Sequence, residues 1–279
     1  KCDCPYDLGP ICKHEAAVFF QLAEIINDGD VKWDIKEAQT EQPGIKEVLF
    51  LMPKEELIRI IMEIVPKNDT LEESLILRYS DGNKEQEIKQ VAKLIRRIVN
   101  KYAGRGGFIA YGEISDYVEE MVGILEKARH TADRLLALEI IILVLHEAME
   151  AFQYADDSDG EIGGLASDCI EVMENLVLAE KKSDSSITLK LFNRLLEDSN
   201  DHAYEGWEEF TIDILRLCAE IADTEASQVL LRARVMAYLD KSDTDGFSTY
   251  YAAPLLQILH RLIVVYGTDA EALQFEEEN

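Results

Sequence analysis

KEQEIKQVAKLIRRIVNKYAG, residues 84–104, carries one periodicity from end to end. Ile88, Val91, Ala92, Ile95, Val99 and Tyr102 recur at the i, i+3, i+4, i+7 spacing that lines one face of an α-helix. Gly104 stops the pattern. Working outward, the same habit returns in EISDYVEEMVGILEKAR (113–129), TADRLLALEIIILVLHEAMEAF (131–152), LASDCIEVMENLVLAEKK (165–182), SITLKLFNRLLED (186–198), AYEGWEEFTIDILRLCAEIA (203–222), EASQVLLRARVMAYLD (225–240) and YYAAPLLQILHRLIVVYG (250–267). Short polar joins separate these segments, and none shows the two-residue alternation of a strand.

Fifteen glycines and six prolines in 279 residues leave few breakers, and the hydrophobic fraction of 47% is ample for a core. The expected class is all-α. Neighbouring helices joined by short loops run antiparallel. Helix pairs at intervals of roughly 35 to 45 residues suggest a degenerate helical-repeat, solenoid-like region over 45–279. An irregular helical bundle is the alternative. Before this region, 29–44 reads as a polar connector and 1–28 as a separate small module.

The formal net charge of -27 repels phosphate and anionic lipid at long range. The longest apolar run, ALEIIILVL (137–145), is interrupted by Glu139 and is too short to span a bilayer. No membrane association is expected, and the expected location is cytoplasmic. The chain starts at Lys1 rather than Met, which suggests a fragment of a longer protein.

Three of the five cysteines fall in the first twelve residues, KCDCPYDLGPIC, and His14 follows two residues later. Cys2, Cys4, Cys12 and His14 form C-x-C-x7-C-x-H, four ligands of the types that close a tetrahedral structural zinc site. Pro5, Gly9 and Pro10 let the intervening loop fold back. It delivers Cys12 and His14 to the start of a helix, KHEAAVFFQLAEIIND, whose N-terminus favours thiolate. A Cys2–Cys12 or Cys4–Cys12 disulfide competes, and the otherwise cysteine-poor, intracellular-looking chain disfavours it. The predicted cofactor is structural Zn2+.

CDCPYDLGPICKHEAAV resembles the SWIM zinc finger, whose pattern is C-x-C, a variable loop, then C-x-H running into a helix. The likeness covers residues 1 to about 25. The long helical remainder is similar, without signature residues, to that of bacterial SWIM proteins. The resemblance implies a zinc module for protein or DNA contacts, in proteins associated with DNA-handling ATPases, transposases or recombination factors. It also implies strands just upstream of the first cysteine. The expected function is a non-catalytic scaffold with a protein partner. Direct DNA binding is the alternative, and the net charge opposes it.

Lys89, Lys93, Arg97 and Lys101 line one helix edge, with Arg96 and Arg105 nearby. They are the candidate contacts for nucleic acid or an acidic partner, against the reading of a solvated face paired with surrounding acids. ADDSDGEIG (155–163) and DKSDTDG (240–246) resemble calcium loops but lack the terminal carboxylates, so both read as turns. HEAME lacks the second histidine of a zinc-protease helix. His146 and His260 fit satisfied core or edge positions, and Cys169 and Cys218 fit buried thiols. With no catalytic motif in view, an enzyme with a carboxylate-rich metal site ranks last.

Overall fold

The computed structural model describes Cys2, Cys4 and residues 11–27, 44–67, 69–79, 83–181, 185–242 and 248–278. The connector expected over 29–44 lies outside them except for Gly44, and most of the 240–246 turn lies outside them too. The chain divides into two compact units, Lys1–Ile61 and Met62–Asn279.

The first unit carries α1 (Lys13–Asn27), α2 (Ile45–Leu51) and most of α3 (Lys54–Ile64). Its apolar side chains stand largely in solvent: Phe20 is 75% exposed, Phe50 89% and Leu51 83%.

The second unit continues with α4 (Asp69–Tyr79), α5 (Lys84–Ala103), α6 (Ile114–His130), α7 (Arg134–Ala151) and α8 (Glu161–Glu180). It ends with α9 (Ser185–Asp198), α10 (Glu208–Glu220), α11 (Glu225–Ser242), α12 (Ser248–Tyr266) and α13 (Asp269–Glu278). The class is all-α. Among the described residues the one β-type pairing is an isolated parallel bridge, Ile109 to Ala155.

From α4 to α12 each helix packs against those one and two places along the chain, and α13 packs on α12. Thus α4, α6, α8, α10 and α12 touch in succession, and so do α5, α7, α9 and α11. Of the expected α5 stripe, Val91 and Ile95 are buried and Ile88, Ala92, Val99 and Tyr102 are half-buried; Leu94 and Ile98, outside it, are buried as well. α7 is apolar all round because α5, α6, α8 and α9 surround it. Leu138, Ile140, Ile141, Val144 and Leu145 have no exposure, and each such side chain stabilises the fold by about 1.5–3 kcal/mol.

The helix starts are chemically fixed. Asn83 accepts from the Glu85 amide at the start of α5, and Asp133 accepts from the Leu135 and Leu136 amides at the start of α7. α8 begins after Gly160, whose φ of 74° suits a residue without a side chain. No described helix is long and apolar enough to cross a membrane.

Candidate metal centre

The Cys12 carbonyl accepts from the Ala16 amide at 2.9 Å, and Cys12 is the residue before the first helical one, Lys13. Its thiol takes the place that a serine hydroxyl fills in a capping box. The Glu15 amide donates to Cys12 Sγ at 3.4 Å, and the Cys12 amide donates back to Glu15 Oε2 at 3.2 Å. The other oxygen of the same carboxylate, Oε1, accepts from the Cys2 amide at 3.1 Å. Glu15 therefore links the start of α1 to the first cysteine.

This arrangement brings Cys2, Cys4, Cys12 and His14 together, with their ligand atoms all within 4.8 Å of one another. Cys2 Sγ lies 3.8 Å from His14 Nδ1. A tetrahedral zinc with bonds of about 2.3 Å to sulfur and about 2.0 Å to nitrogen has ligand–ligand edges of about 3.5–3.8 Å. A small contraction closes the set. Cys12 is buried, Cys2 and Cys4 are half-buried, and His14 is exposed. None of the five cysteines is in a disulfide. Hydrogen bonds from the Cys4 amide, then from the Cys4 and Cys12 thiols, hold the Cys2 thiol below its ordinary value. The Cys12 and Cys2 amides hold the Glu15 carboxyl below the usual carboxylate range. The four residues can hold a metal ion, and among the described residues no other group of three or more potential ligands converges in this way.

No family model, curated protein or solved structure matches the chain.

The basic stripe lies along α5 and the turn that follows it. Lys89 pairs with Glu85 at 2.7 Å, both well exposed. Lys101 pairs with Glu120 of α6, which also accepts from Tyr102 at 2.9 Å. Arg96, Lys93 and Arg105 are exposed and Arg97 is half-buried.

In the 155–163 turn, Asp157 accepts from the Ile162 and Gly163 amides at 2.8 and 3.2 Å. It thereby caps α8 and directs its oxygens at the backbone. Cys169 and Cys218 have no exposure, and burial pushes both thiols far up. His260 stacks on Phe275 and lies 3.1 Å from Glu276.

The polar core of the second unit centres on Asp198. Tyr204 donates to its Oδ2 at 2.7 Å, and Arg194 Nη1 and His146 Nε2 lie 3.1 and 3.2 Å from its Oδ1. Burial alone would raise the Asp198 carboxyl, but His146, Tyr204 and Arg194 together hold it below its usual value. Arg194 also reaches Glu139, which ties α9 to α7. A second cluster joins Glu147 to Tyr117 and Tyr154. Neither cluster was expected from the sequence, and nor was the part played by Glu15. Its only sequence signal is its place three residues after Cys12, where a capping box puts Glu.

Proposed function

We propose that the chain is a non-catalytic scaffold in which one structural zinc is held by Cys2, Cys4, Cys12 and His14. The observation that carries this reading is the convergence of three sulfurs and one imidazole within 4.8 Å. Their chemistry suits zinc: soft thiolates with a borderline imidazole, four in number, leaving no position for water or substrate. The residues also fit the SWIM pattern of the sequence. Zinc would supply folding energy, cross-linking Cys2 and Cys4 to the start of α1.

The second unit is the platform. Packing confined to first and second neighbours supports a two-row helical-repeat reading. The starts of α4, α6, α8, α10 and α12, at 69, 114, 161, 208 and 248, support it as well, since two-helix repeats run about 40–47 residues. The exposed apolar side chains of α1 and α2 are what a protein partner would cover. A DNA-handling ATPase or recombination factor is the kind of partner that the SWIM resemblance implies. Direct DNA binding has less support, because Lys89 and Lys101 face Glu85 and Glu120 within a strongly acidic chain.

Metal analysis of the full chain, expressed with zinc present, tests the proposal. The expected result is one zinc per chain, lost in Cys12→Ser. A wild-type chain without zinc overturns it.

A further inference from the structure

We infer that Glu15 is a positioning residue of the metal centre, its carboxylate bridging the backbones of the first and third ligands; the inference rests on the zinc reading above. The bridge has two halves of different meaning. Oε2 with the Cys12 amide, and the Glu15 amide with Cys12 Sγ, make up a helix-capping box. That half is explained by helix chemistry alone. Oε1 with the Cys2 amide is not: it reaches thirteen residues back along the chain to a segment outside the helix.

The consequence for the ligands is specific. Cys2 Sγ must sit near His14 Nδ1, and the backbone of Cys2 is held there by a group one residue beyond His14. The N–H donated to Cys12 Sγ also fixes the direction in which that sulfur presents its remaining lone pairs. Glu15 thus pre-assembles two of the sulfurs before any ion arrives. Partners of this outer kind typically change metal affinity by about 10–100-fold.

Side-chain chemistry separates the two halves. A glutamine can still close a capping box. It presents one acceptor oxygen in place of two, and its NH2 would face an amide N–H where the second oxygen stood. Glu15→Gln therefore keeps the helix cap and loses the link to Cys2, whereas Glu15→Ala loses both. Glu24→Ala, an exposed acid on the same helix, is the control for charge and helix propensity.

The experiment is zinc competition against a chromophoric chelator on the full chain, with Co2+ absorption as the readout of thiolate coordination. The expected result is a zinc affinity about 10–100-fold weaker in Glu15→Ala. Glu15→Gln should be weakened by less, with a diminished cobalt–thiolate band, and Glu24→Ala should match wild type. If Glu15→Gln matches wild type in both affinity and spectrum, Glu15 is a helix cap and the inference fails while the zinc site stands. If wild type itself takes up no zinc, the centre and its positioning residue fall together.

Discussion

Lys127 and Glu87 offer the sharpest test of how the second unit is held together. Their charged atoms lie 2.8 Å apart between α6 and α5, with side chains only 8% and 7% exposed. At an effective dielectric of about 20, unit charges at that distance attract by about 6 kcal/mol before desolvation is counted. Removing both ions from water offsets much of that gain. Lys127→Met removes the buried cation that faces the Glu87 carboxylate at 2.8 Å, which costs about 3–5 kcal/mol. In a unit of this size each kcal/mol moves the melting temperature by about 2–4 °C, so the single variant should melt about 6–20 °C lower. The double variant Glu87→Leu/Lys127→Met puts apolar volume in place of both ions and should return to near the wild-type value. Thermal melts followed by far-UV circular dichroism read all three proteins. A Lys127→Met melt within about 2 °C of wild type would refute the reasoning, because it would mean that the buried ion pair contributes little. So would a double variant less stable than either single.

Burial, with repulsion from Glu150 and against the Tyr154 hydrogen bond, lifts the Glu147 carboxyl to about 7. The fold therefore favours its neutral form, and that stability is whole below pH 4.5 and lost as pH rises towards 7. Glu147→Gln should raise stability at pH 8 by up to about 3 kcal/mol and change little at pH 4; denaturant titrations at both pH values check this. Asp157→Ala should cost about 1 kcal/mol through loss of the α8 cap, and millimolar calcium should leave the melting temperature of wild type unchanged. Gel shifts with duplex DNA at moderate salt should show no retardation, and Lys93→Glu/Arg97→Glu should not alter that; a salt-sensitive shift abolished by this pair would restore the basic edge as a DNA contact.

The helices were legible because their information is local. In α5, Val91 and Ile95 of the expected stripe belong to the buried core, and Ile88, Val99 and Tyr102 pack against it. The composition of α7 announced burial, although a segment apolar all round cannot say which helices surround it. The four candidate ligand residues were legible because their spacing is a chemical pattern in sequence, and the chain does bring them together. Asp198 was not: Arg194, one turn back on the same helix, looks like an ordinary surface pair, and His146 becomes a partner only once α7 and α9 lie side by side. The link between Lys127 and Glu87 was hidden for the same reason, since each looks like a solvent-facing charge in its own helix. The 155–163 segment was legible as a turn, because it lacks the terminal carboxylates of a calcium loop. In the structure, the nearest backbone amides claim Asp157.

Because, among the described residues, the main helix pairings from α4 to α12 all lie within two places along the chain, the order of synthesis is also an order of assembly. By the time α6 has left the ribosome, α4 has met its partners α5 and α6, and α5 awaits only α7. The chain entropy lost in closing each such short loop is small. Such a polypeptide can consolidate while its C-terminal end is still being translated, leaving little apolar surface waiting for distant mates and little opportunity for aggregation.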